Sequence, residues 1–140
     1  MKKTTLDELL AKANAKAVRR SQSDEEHRTQ VACVRYFRLK YPHLFARLFA
    51  VPNGGRRDGI TGARLKAEGV KPGVADLILL KRNRHYCGLL IEMKTANGRQ
   101  SDAQKWWQQE VCADGEFKYV LCRGIDDFMR EVDGYLSECE

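Results

Sequence analysis

The sequence predicts an α/β fold, a mixed β-sheet flanked by α-helices with an extra helix at the N-terminus. Three observations predict it. Apolar residues recur at helical spacing near both ends of the chain, short runs rich in Val, Ile and Leu lie between them, and the two patterns alternate. With 140 residues, 43% hydrophobic and 31% charged, the chain can bury one core but is too short for two ordinary domains. Residues 1–22 are expected to form a helical extension and residues 23–140 the main domain.

The elements follow in order. Leu6, Leu9, Leu10, Ala13 and Ala17 share a helical face, with Thr5 and Glu8 spaced as a capping box. The segment RRSQSDEE interrupts that pattern, and Ser23 with Glu26 repeats the capping signature ahead of a second helix to about Lys40. Pro42 limits it. Leu48–Val51 reads as a first strand, and the PNGG loop leads to a short helix near Thr61–Glu68 that Gly69 stops. Val74–Leu80 and Tyr86–Lys94 read as a hairpin around the polar run KRNRH. Ser101 with Gln104 caps a helix from Asp102 to about Ala113, Phe117–Cys122 is the last strand, and an amphipathic helix from Asp126 closes the domain.

Composition narrows the function classes. A net charge of +6 favours a polyanionic partner, because Lys and Arg that neutralise phosphates release counterions. The five cysteines form no CxxC spacing and are odd in number, which argues against a zinc site or a disulfide framework. His27, His43 and His85 lack metal-ligand spacing. Asp7 and Glu8 arrive before any sustained apolar run, so no secretory signal is read, and no stretch is apolar enough to span a bilayer. The expectation is an intracellular protein, cytoplasmic or nucleoid-associated, without a membrane partner.

The chemistry sits in VADLILL and LLIEMK. Strand side chains alternate, so Val74, Asp76, Ile78 and Leu80 share one face, and so do Leu90, Glu92 and Lys94. A hairpin centred near Arg84 sets Asp76 directly opposite Glu92. Like charges there are destabilising, and apolar neighbours make them more so by excluding water. A divalent cation resolves the conflict. Oxygen ligands from Asp76 and Glu92, with the Met93 carbonyl, suit Mg²⁺ or Mn²⁺, and Lys94 would orient or deprotonate an attacking water.

Asp76 followed by Glu92-Met93-Lys94 resembles the PD-(D/E)xK nuclease motif, with Gly73 and Val74 near the place of its usual Pro-Asp dipeptide. Glu26-x-x-x-Gln30, PNGG, LKAEGVKPGVADL, GLLIEMKTANGR and SDAQKWW together resemble the VRR-NUC family, a branch of that superfamily, over roughly Glu25 to Leu136. Two departures are the valine-alanine before Asp76 and the segment DGEF where a glycine-tyrosine pair is usual. The resemblance implies a restriction-endonuclease-like fold and a metal-dependent DNA endonuclease. It also implies structure-selective cutting of branched or Holliday-type junctions, and a homodimer is expected. On the same resemblance Asp76, Glu92 and Glu26 are metal-binding acids, Lys94 is the catalytic lysine and Gln104 an active-site helper. A non-catalytic DNA-binding protein of the same fold and a nuclease acting on RNA are the alternatives.

Several residues carry two readings. Glu26 and Gln104 also fit as capping-box members. Asn53, Gly54, Gly55, Arg56 and Arg57 read equally as a phosphate-binding loop or an ordinary surface loop. Arg64, Lys66, Lys71 and Arg99 complete the basic residues expected toward nucleic acid. Trp106 and Trp107 could stack on bases, but aromatic residues on a helix beside a sheet more often belong to the core.

Overall fold

A computed structural model describes residues 5–52 and 59–139. Helix α1 spans Leu6–Lys40, and its Thr5 cap is reciprocal: the Thr5 hydroxyl accepts the Glu8 N–H while the Glu8 carboxylate accepts the Thr5 N–H. The expected break at RRSQSDEE does not occur, so the two helices are one. Between Leu6 and Lys40 the chain has neither Gly nor Pro, and Ser21 and Ser23 disfavour a helix too weakly to end it. Ser23 therefore does not cap a second helix. Tyr41 ends α1 and Pro42 starts a 3-10 helix, Pro42–Arg47, before strand β1, Leu48–Ala50.

Helix α2 covers Gly59–Ala67, close to the expected position, and Gly69 follows it with φ of 102°. Strands β2 (Leu77–Leu79) and β3 (Gly88–Met93) pair antiparallel, Leu77 opposite Ile91 and Ile78 opposite Leu90. Both strands are shorter than the sequence suggests. Ser101 and Gln104 form their capping box ahead of α3, Asp102–Cys112. Strand β4, Phe117–Cys122, then runs parallel to β3, and α4, Ile125–Ser137, returns along the sheet. The sheet order is β1-β2-β3-β4, antiparallel except at the β3–β4 pair.

Alternation along the strands separates core from site. Leu77, Leu79, Leu89, Ile91, Met93, Val120 and Cys122 pack with Phe37 of α1 and Phe128, Val132 and Tyr135 of α4. The intervening residues Asp76, Ile78, Leu90, Glu92 and Tyr119 belong to the other face. Every residue of β3 is buried, Glu92 included. At the far end of the core Asp133 ties α4 to α1, accepting hydrogen bonds from Tyr36, Lys40 and Tyr41.

Candidate active site

The β2–β3 register, continued one step, sets Asp76 against Glu92 at the C-terminal end of β3. Asp76 lies just outside β2, and its carboxylate accepts the Met93 N–H at 2.7 Å while its carbonyl accepts the Val51 N–H. A side chain thus takes a place in the hydrogen bonding that a backbone carbonyl would fill. That ends the regular ladder early and fixes the Asp76 carboxylate beside β3.

Glu92 is 1% exposed. Its Oε1 accepts Gln104 Nε2 at 2.7 Å and lies 3.9 Å from Lys94 Nζ, and its Oε2 accepts the Tyr119 hydroxyl at 3.4 Å. Burial above all, and then the charge of Asp76 and a hydrogen bond shared with it, push the Glu92 carboxyl up to about 8. Lys94 and Tyr119 oppose that rise without cancelling it. Glu26 approaches from α1. Partial burial raises its carboxyl, Lys94 and a hydrogen bond with the Thr95 backbone counter this, and Asp76 adds to it. Asp76 and Lys94 thus act on both Glu26 and Glu92.

Gln104 makes two contacts at once, one as the capping residue of α3 and one to Glu92. Its Oε1 accepts the Ser101 N–H at 2.8 Å as a capping residue, and its Nε2 donates to Glu92. An amide carries an acceptor and a donor on one planar group, so the cap itself aims the donor at the acid. Gly73 makes this approach possible. With φ of 82°, its position leaves no room for a side chain, because a Cβ would sit 2.3 Å from the Ala103 carbonyl oxygen. The turn before Asp76 therefore rests directly on the first turn of α3.

Among the described residues no three of His, Cys, Asp and Glu converge as a metal site. Two acids meet, Asp76 and Glu92, and Glu26 lies in the electrostatic field of Asp76. A cleft of about 500 Å³ opens there between α1 and the sheet, lined by Glu26, His27, Gln30, Val51, Asp76 and Met93 among others. Of the expected basic contacts, Arg64, Lys66, Lys71 and Arg99 are exposed, and Arg64 lies 4.0 Å from Glu68. Asn53, Gly54, Gly55, Arg56 and Arg57 lie outside the described residues. Trp107 is half-buried near Tyr119 and lies outside the hydrophobic core cluster, and Trp106 is 52% exposed.

Sequence reasoning missed three contributors. Tyr119 bonds Glu92 and accepts a hydrogen bond from Gln100, which also reaches Gln108. The alternation of β4 would have placed Tyr119 on the Glu92 face once its pairing with β3 was known. Arg123 donates through Nη1 to the carbonyls of Thr95, Ala96 and Gly98, securing the turn that follows Lys94. Only the folded chain brings it there. The third is Gly73, noted in sequence only as standing near the place of the motif's usual Pro-Asp dipeptide and not as a packing requirement.

A mixed sheet that presents a buried Glu-x-Lys strand beside an aspartate is the frame of a nuclease-type domain. The chain belongs to the VRR-NUC domain family, whose model matches residues 24–126. A solved structure described as a VRR_NUC domain protein is similar over 82% of this chain and 90% of its own, at 26% identity and a TM-score of 0.70. No curated protein matches the chain. No helix among the described residues is long and apolar enough to cross a membrane.

Proposed function

We propose that this protein is a metal-dependent DNA endonuclease that hydrolyses phosphodiester bonds with Mg²⁺ or Mn²⁺. The observation that carries the reading is the buried Glu92 carboxyl held against Asp76 and pushed up to about 8, a concentration of acid that a divalent cation would stabilise in its ionised form. The donor set fits. Carboxylate oxygens of Asp76 and Glu92, with the Met93 carbonyl and Glu26 beside them, are hard ligands, and Mg²⁺ uses one or two carboxylates while keeping several waters.

A bound cation would polarise a phosphoryl oxygen and make the attacking water more acidic. The residues supply the rest. Gln104 and Tyr119 hold Glu92 by both oxygens, which fixes the direction of its lone pairs. Lys94, with a side chain 13% exposed and 3.9 Å from Glu92, would orient or deprotonate the water and offset charge developing on the phosphate. Arg64, Lys66, Lys71 and Arg99, with Asn53 to Arg57, would take the flanking backbone phosphates.

Preference for branched or Holliday-type junctions and assembly as a homodimer are part of the proposal. A two-fold dimer would offer two equivalent sites to two strands of a symmetric junction. Purified protein incubated with branched and linear DNA plus Mn²⁺ tests the chemistry. Asp76→Ala and Lys94→Ala should each lower cleavage by on the order of 10²-fold or more. Equal cleavage by wild type and both variants would refute the assigned centre, and light scattering that reports only monomer would refute the dimer.

A further inference from the structure

The loop between β2 and β3 stands at the opposite end of the sheet from the acids. Asp76 and Lys81 are five positions apart on the β2 segment, about 17 Å at the rise of an extended strand. Lys81-Arg82-Asn83-Arg84-His85 places four basic side chains, counting His85, in five consecutive residues. Such runs are usually solvated and mobile. This one is built.

Asn83 is 7% exposed, and its Oδ1 accepts the N–H groups of both His85 and Tyr86 while its Nδ2 donates to the Tyr135 carbonyl. The Tyr135 hydroxyl donates to the Lys81 carbonyl, the Arg84 N–H donates to the Glu138 carbonyl, and the Cys139 thiol donates to the Arg82 carbonyl. The last turn of α4 and the residues after it therefore grip the loop by its backbone. Arg47 adjoins it, exchanging hydrogen bonds with Leu80 through its carbonyl and its guanidinium. Lys81, Arg82, Asn83 and Arg84 line a cavity of about 540 Å³. His85 pairs with Glu138 at 3.9 Å, so the cationic character rests on the lysine and the arginines.

We propose that this clamped loop, with Arg47, Lys81 and Arg82 as its principal cations, is a second binding site for the phosphate backbone of a nucleic acid. Backbone clamping fixes where the side chains originate, so less order is lost when they engage a ligand. Membership of a nuclease-type family favours a nucleic acid over an acidic peptide as the occupant. At 3.4 Å rise per phosphate along one strand, about 17 Å spans roughly five base pairs, so one extended polyanion can reach both ends of the sheet. The inference rests on the nuclease reading only for the second contact, at the acids.

Binding is measured in metal-free buffer, so that no cleavage is needed, using a 30-base-pair duplex and fluorescence anisotropy across a salt series. Lys81→Ala with Arg82→Ala should reduce the slope of log K against log salt by roughly 1.8, since each phosphate contact contributes about 0.9. The pair Lys12→Ala with Lys16→Ala, on an exposed stretch of α1, should leave it unchanged. Lys81→Gln with Arg82→Gln replaces the alanine pair if circular dichroism shows that the latter is unfolded. An unaltered slope, an equal loss in the α1 control, or loop-dependent binding to acidic peptide or anionic vesicles without binding to the duplex overturns the proposal. Loop-dependent duplex binding by a protein that cleaves nothing in Mn²⁺ would retire the nuclease reading and leave this site standing.

Discussion

Enclosed by Gln104, Tyr119 and Asp76, the Glu92 carboxyl carries a testable consequence for stability. Its ordinary value is 4.5 and burial pushes it up to about 8, so between those values the folded state holds more protons than the unfolded one. Stability of the metal-free protein must then fall as pH rises through that window, by on the order of 2 kcal/mol or more, and level off above it. In Glu92→Gln this fall should disappear from thermal melts taken between pH 5 and 8. Mn²⁺ at pH 8 should raise the melting temperature of the wild type and not of the variant. Parallel pH curves for the two proteins would mean that Glu92 is not the buried acid described. Gly73 gives a second test at this scale. Both Gly69 and Gly73 have positive φ, but a Cβ at Gly69 meets open space whereas at Gly73 it collides with the Ala103 backbone. Gly69→Ala should cost about 1 kcal/mol in urea unfolding and Gly73→Ala about 3 kcal/mol, the difference being overpacking. Equal costs would remove the packing argument.

Among the elements, the strands and α3 were legible because period-two alternation and a capping box are local signals. A hairpin centred near Arg84, which sets Asp76 opposite Glu92, also requires the observed pairing of Leu77 with Ile91 and Ile78 with Leu90. The continuity of α1 was not legible. Ser23 and Glu26 have capping spacing, yet a cap forms only where a helix must begin, and nothing before Ser23 obliges α1 to stop. Residues 6–22 of α1 are exposed throughout, so deleting residues 1–22 should shift the melting temperature by no more than about 2 °C. A larger loss would show that the extension packs on the domain. Where α4 meets the C-terminal end of α1, burial works to raise the Asp133 carboxyl, but hydrogen bonds from Lys40, Tyr36 and Tyr41 outweigh it and hold it below its ordinary 3.8. A carboxylate with a depressed folded value stabilises above its unfolded value and loses that contribution as pH falls through the folded one. Asp133→Asn should therefore melt lower than wild type at pH 7, with the gap closing as pH falls below the ordinary carboxyl value of 3.8 and through the lowered folded one. A gap independent of pH would point to shape and not charge.

Across the whole molecule the sheet has two chemically distinct ends, acids with a lysine at one and a clamped basic loop at the other. The acidic end could be read from sequence because Asp76 and Glu92 each interrupt an apolar strand, which makes a bare structural role expensive. Tyr119 and Arg123 could not. Each depends on the parallel addition of β4, a pairing that spans α3 and leaves no local mark in the chain. The basic loop was visible only as a polar run, since its grip by Tyr135, Glu138 and Cys139 is a tertiary fact. What unites the molecule is the claim that Asp76 and Glu92 together hold a divalent cation. The most direct measurement is an anomalous difference map from crystals soaked in Mn²⁺ at pH 8. A single peak bridging the Asp76 and Glu92 carboxylates, with Lys94 and Gln104 alongside, is the expected result. Carboxylates still bonded to each other with no peak between them, or Mn²⁺ bound only elsewhere, would contradict it.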